Sequence, residues 1–198
     1  MKRLLNQTSM MIAATLLTAC TAFGERTLVS VGYYTVSGDT FSELDQEIKL
    51  HGPNVLGVGD ALASTDLRMI PDIRYTKRNS SCEITKAHVR VKARVTLPRH
   101  RNERKLKAEL ANAWTNLSEY ARIHEAVHLA IADKYALKIE DSVKALGERP
   151  SCEALKNDVE IEFSRLFNAH HKEQLEFDES EKRRIRKLLA QNSQSNAG

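Results

Sequence analysis

The sequence predicts an α+β fold: a small antiparallel sheet with a short N-terminal helix, packed on two long helices. Three observations predict it. Between Ile84 and Leu97, the residues Val89, Val91, Ala93, Val95 and Leu97 alternate with Arg90, Lys92, Arg94 and Thr96. That period of two marks a strand with one buried and one wet face. From about Asn102 no proline or glycine interrupts the chain until Gly147-Glu148-Arg149-Pro150, which predicts one long helix. A second uninterrupted stretch starts after Ser151 or Cys152 and runs past Phe177.

The chain has 198 residues and opens with Met1-Lys2-Arg3, an apolar run from about Met10 to Leu17, and Leu17-Thr18-Ala19-Cys20. This pattern reads as a bacterial export signal, with an apolar run too short to span a membrane. The cysteine after small residues resembles a lipobox, so residues 1–19 are expected to be removed and Cys20 to carry a lipid. Thr21 in place of an aspartate points to the outer membrane, facing the periplasm. Cleavage after Ala22 to give a soluble periplasmic protein is the alternative. Residues 20–26 then form a linker, 27–187 the domain and 188–198 a polar, disordered tail. Of the 30 basic residues, Lys2 and Arg3 belong to the leader, against 26 acidic residues, so the mature chain is near neutral. That balance gives no nucleic-acid footprint.

Within the domain, Thr27 to Val36 is rich in β-branched and aromatic residues and is bounded by Ser37-Gly38-Asp39, the pattern of a strand. A helix follows, with Ser42 as cap, Phe41, Leu44 and Ile48 as its apolar face, and Gly52-Pro53 as its stop. Asn54 to Ser64 reads as loop, and Met69 to Lys77 as a strand despite Pro71. Pro98 is expected to end the alternating strand. His88 and His100 read as surface or cross-strand histidines and Trp114 as a core anchor. In an oxidising compartment, with Cys20 used by the anchor, Cys82 and Cys152 remain as an even pair and are expected to form a disulfide.

The first long helix carries His124-Glu125-Ala126-Val127-His128. Residues four apart lie one above the other on a helix, so His124 and His128 can point two imidazoles at one metal ion. Glu125 lies about 100° round the helix, placed to take a proton from water without binding the metal. Leu117, Ala121, Ile131 and Tyr135 put both histidines in the apolar stripe. A catalytic zinc site needs a third protein ligand. His170 lies at the centre of the second helix's apolar stripe, among Phe163, Phe167 and Phe177, and is the expected third ligand. His171, Glu162, Glu173 and Asp178 are alternatives. Gln174, one turn after His170, suits an outer-shell role. Asp133, on the far side of the helix from His124, does not suit the same ion.

Tyr34-Thr35-Val36-Ser37-Gly38-Asp39-Thr40, Glu43-Leu44, His51-Gly52-Pro53, Cys82, Leu97-Pro98, Trp114, the His124–His128 motif, Cys152 and Phe177-Asp178 together resemble the bacterial family known as domain of unknown function 922, predicted secreted zinc-dependent proteases. The resemblance covers nearly all of the mature chain. It implies a zincin-like domain with His124 and His128 as ligands and Glu125 as catalytic base. The chain departs from the family pattern after Phe177-Asp178, where Glu181-Lys182-Arg183-Arg184 stands in place of a later His-Gly pair.

The expected activity is therefore that of a zinc metallopeptidase with one zinc per chain, in which Glu125 acts as general base on a zinc-activated water and then protonates the leaving amine. Its partners are a protein or peptide substrate and, through the lipid, the outer-membrane leaflet. Two alternatives stand beside it. One is a zinc amidase or peptidase acting on cell-wall peptides. The other is a non-catalytic structural or interaction lipoprotein, braced by zinc or metal-free.

Overall fold

The computed structural model of the protein describes residues 26–55 and 59–195. The expected leader, Cys20 and the linker up to residue 25 lie outside the described residues. The elements are β1 (Thr27–Val36), α1 (Phe41–His51), β2 (Asn54–Val55), β3 (Gly59–Asp60), β4 (Ser64–Lys77), β5 (Cys82–His100), a short 3-10 turn (Glu103–Lys105), α2 (Ala108–Ala145) and α3 (Cys152–Ser195). The fold is α+β, as expected, with both long helices against one face of the sheet.

The three-stranded sheet has the order β1-β5-β4. β4 and β5 form an antiparallel hairpin, but β1 runs parallel to β5, with Thr27 beside Val91 and Val36 beside His100. The sheet is thus mixed rather than antiparallel. The chain leaves β1 through α1 and comes back along β4 before the hairpin, so β5 points the same way as β1.

β5 runs through Pro98 to His100. Pairing with β4 stops at Thr96, so Pro98 has β1 as its only strand partner and its missing N–H costs no second ladder. Pro71 is likewise tolerated because β4 is an edge strand. The helix α1 is capped by Thr40, not Ser42. Thr40 Oγ1 accepts the Glu43 N–H at 3.2 Å, and the Glu43 carboxylate accepts the Asp39 N–H at 2.8 Å. The stretch read as loop after Asn54 contains the small antiparallel pair β2–β3. α3 continues to Ser195, past the start of the expected tail, because Glu179–Lys182 and Glu181–Arg184 pairs support it and no proline or glycine interrupts it. His100 is not a surface residue: it is 5 % exposed, and its Nε2–H donates to the Gly38 carbonyl at 3.0 Å.

The core follows the predicted alternation. Val89 and Val91 pack against Ala132, Ala136, Ile139 and Val143 of α2 and Val159 and Leu166 of α3. Ala93, Val95 and Leu97 meet Ala121 and Leu129. Trp114 joins Val36, Leu44 and Leu110 and is 2 % exposed, a core anchor as expected.

α2 and α3 form an antiparallel hairpin. Arg149 pairs with Asp158, His128 with Gln174, and Tyr120 with Glu181, so partners separate evenly from the turn. Gly147 takes φ +68°, a left-handed conformation that closes α2 and that a side chain would strain. The turn is tied to the sheet twice. Cys82 and Arg149 exchange both backbone hydrogen bonds, at 2.8 and 3.0 Å, and Cys82 is bridged to Cys152.

Closing a loop of 70 residues' separation restricts the unfolded chain by about 4 kcal/mol. The double variant Cys82→Ser/Cys152→Ser is expected to lose about that much in urea unfolding followed by circular dichroism. A loss under about 1 kcal/mol would show that the backbone pairing at Arg149 holds the turn without the bridge.

Candidate metal centre

His124, His128 and Asp178 converge where α2 and α3 face each other. His124 Nε2 lies 3.1 Å from His128 Nε2, and Asp178 Oδ1 lies 3.2 and 3.1 Å from those two nitrogens. The triangle is close to equilateral. Ligand atoms at bond lengths of 2.0–2.1 Å around a tetrahedral zinc stand about 3.3 Å apart, so the donor set fits one face of such a site. Three electron-pair donors this close repel one another unless a cation lies among them, and protons or a metal ion can fill that role.

The surroundings orient the donors. His128 donates its Nδ1–H to Gln174 Oε1 at 2.6 Å, which turns Nε2 towards Asp178 and His124, to donate a proton to the aspartate without a metal or a lone pair to a metal ion. The Gln174 amide is itself fixed, because its Nε2 donates to the His128 carbonyl at 3.1 Å and to His170 Nε2 at 2.8 Å. Phe177 closes the apolar side, its ring 4.8 Å from His124 and 5.1 Å from His128. His124 Nδ1 is buried without a hydrogen-bond partner.

Glu125 is 4 % exposed, and its Oε2 accepts the Thr65 hydroxyl of β4 at 2.6 Å. The sheet therefore fixes one carboxylate oxygen and leaves the other available. Burial pushes the Glu125 carboxyl up, offset only in part by Thr65 and the two imidazoles. Burial would raise Asp178 too, but hydrogen bonds from His124 and His128 hold it well below the usual carboxylate range. Burial opposes charge on His128, yet its bonds to Asp178 and Gln174 raise its pKa overall.

His170, the expected third ligand, is not part of this group. It is buried at 4 % exposure among Phe167, Tyr135 and His171 and is hydrogen-bonded to the site through Gln174. The reason is axial. His170 lies eight residues from Asp178, about 12 Å along the helix. Equal counting from the Gly147–Ser151 turn brings residue 178, not 170, level with His124. The remaining alternatives are engaged elsewhere: Glu173 with Lys134, Glu162 with Arg165 at 2.5 Å, and His171 against the Phe167 ring. Asp133 accepts a hydrogen bond from Thr27 on β1.

Thr65 and Tyr120 were not foreseen. Thr65 comes from a different element, and only its place opposite Val95 on the sheet brings it to Glu125. Tyr120, one turn before His124, donates to Glu181 Oε2 at 3.2 Å, and Arg184 grips the same carboxylate at 2.9 and 2.7 Å. These three cross-link the two helices beside the centre.

The fold and site define a class: an α+β domain whose helical hairpin presents two histidines and an aspartate around one point. The chain belongs to the family described as bacterial protein of unknown function (DUF922), whose model matches residues 31–184. No curated protein matches the chain, and neither does any solved structure.

Burial, with help from His171, lowers the His170 pKa from 6.5 to about 4. Between those values the unfolded chain binds the proton and the folded chain does not. This group's contribution is therefore fully present above about pH 6.5 and is lost as pH falls towards 4. In urea unfolding with chelator present, His170→Gln is expected to flatten the fall in stability between pH 6.5 and 4.5 relative to wild type. Parallel curves for the two proteins would refute a neutral, buried His170.

Proposed function

We propose that the protein is a zinc-dependent hydrolase of peptide bonds that works at the cell envelope. One observation carries the reading: three donor atoms, His124 Nε2, His128 Nε2 and Asp178 Oδ1, meet at 3.1–3.2 Å beside the buried carboxylate of Glu125. Three protein ligands leave a tetrahedral ion one position open, as in catalytic zinc sites, whereas structural sites are closed by four. Zinc held there supplies a Lewis acid and makes water acidic enough to be deprotonated near neutral pH.

The protein's own groups do the rest. Thr65 donates to one oxygen of Glu125, and the other takes the proton of the attacking water. Burial raises the Glu125 pKa, so the carboxyl keeps that proton until the leaving amine accepts it. Gln174 holds His128 in the tautomer that offers Nε2, and Phe177 keeps water away from the rear of both imidazoles. The peptide substrate, the zinc and an outer-membrane location all belong to this proposal. The leader pattern of residues 1–20 supports the location.

Glu125→Gln keeps the size and the Thr65 contact but cannot take a proton. The variant is expected to bind zinc as wild type does and to lose at least about a hundredfold in peptide hydrolysis, measured on a quenched-fluorescent peptide library. Activity equal to wild type would sink the hydrolase reading.

A further inference from the structure

The sheet has a second face, turned away from the helices, and its chemistry is unlike the rest of the molecule. Arg90, Lys92 and Arg94 of β5 are exposed on it, and Arg68 of β4 stands directly opposite Lys92. Arg68, Lys92 and Arg94 make no ion pair or side-chain hydrogen bond among the described residues, and the one carboxylate set beside them is Asp66 of β4, directly opposite Arg94. Arg90 senses only Asp72, whose carboxylate Lys86 already holds at 2.6 Å. Side chains on one strand face repeat about every 6.7 Å, and neighbouring strands lie about 4.8 Å apart, so the four cations form a flat array. Like charges set directly opposite destabilise a sheet, and Asp66, diagonal to Lys92, offsets only one of the four.

We propose that this face is a docking surface for the anionic headgroups of a phospholipid bilayer. The charge is complementary and the array is flat, with no described concave pocket to enclose a single phosphate. Leu28 of β1 lies beside Lys92 and is 56 % exposed, an apolar side chain able to enter the headgroup boundary while the cations stay at the surface. Nucleic acid fits less well, since no aromatic side chain stands among these four cations. No described helix is long and apolar enough to cross a membrane, so the contact is peripheral. The proposal is independent of the metal centre, which lies between the helices on the opposite side of the sheet.

The test is co-sedimentation of the full chain with phosphatidylcholine vesicles made with and without phosphatidylglycerol, beside Arg90→Gln/Arg94→Gln. Each basic residue near an anionic surface contributes about fivefold in partitioning, so the double variant is expected to bind the anionic vesicles about 30-fold more weakly. Wild type should favour the anionic vesicles and release them at high salt, and the variant's thermal midpoint should stay close to wild type, because both side chains are exposed. Any lipid anchor is common to both proteins and cancels in the comparison. If that pair unfolds the sheet, Arg68→Gln/Lys92→Gln probes the same array. Equal vesicle binding by wild type and variant overturns the proposal, as does wild-type binding without preference for phosphatidylglycerol. Displacement of the protein from the vesicles by inorganic phosphate or by duplex DNA at equal phosphate concentration also overturns it, in favour of those ligands.

Discussion

The register between α2 and α3 is the constraint on which the site depends. His124 and His128 sit on one helix and Asp178 on the other, and the aspartate lies 26 residues beyond Cys152, at a distance where a small change of register displaces it by several ångströms. The register is set far from the site, where the Cys82–Cys152 bridge and the paired backbone of Cys82 and Arg149 pin the turn to the start of β5. From there the packing of Val89 and Val91 under both helices carries the alignment along the hairpin. Near the centre, Gln174 and the Tyr120–Glu181–Arg184 cluster fasten the helices again.

The buried carboxylates show how the fold tolerates charge where it places it. Glu140 accepts the Val89 N–H at 2.7 Å and lies 2.9 Å from His88 Nδ1, with Arg26 as a further partner, at the point where β5 extends beyond the start of β1. It caps an open strand edge and gathers three partners on Oε1. Glu125 has one hydroxyl donor and an oxygen to spare. One carboxylate is held by three partners and the other by a single hydroxyl, which is the physical difference between the two glutamates.

Much of the fold could be read from the sequence because burial leaves a period. The alternation around Val91 gave β5, the unbroken helical stretches gave α2 and α3, and the two remaining cysteines paired as expected. What was misjudged depends on neighbours that no local pattern records. The parallel pairing of β1, the passage of β5 through Pro98 and the capping by Thr40 all depend on which element lies alongside. At the candidate site, the closeness of the two histidines was legible from a spacing of four on one helix. Asp178 was only one alternative among several, because a helical wheel gives the angle of a residue and not its height. Counting outward from the Gly147–Ser151 turn supplies that height and separates Asp178 from His170.

Metal content is the most direct measurement. Elemental analysis of the purified protein, beside Asp178→Ala and His170→Ala, is expected to find about one zinc per chain in wild type, retention in His170→Ala and loss in Asp178→Ala. A wild-type protein that takes up no metal even after zinc is added, or one that loses zinc in His170→Ala and keeps it in Asp178→Ala, would contradict a centre built from His124, His128 and Asp178.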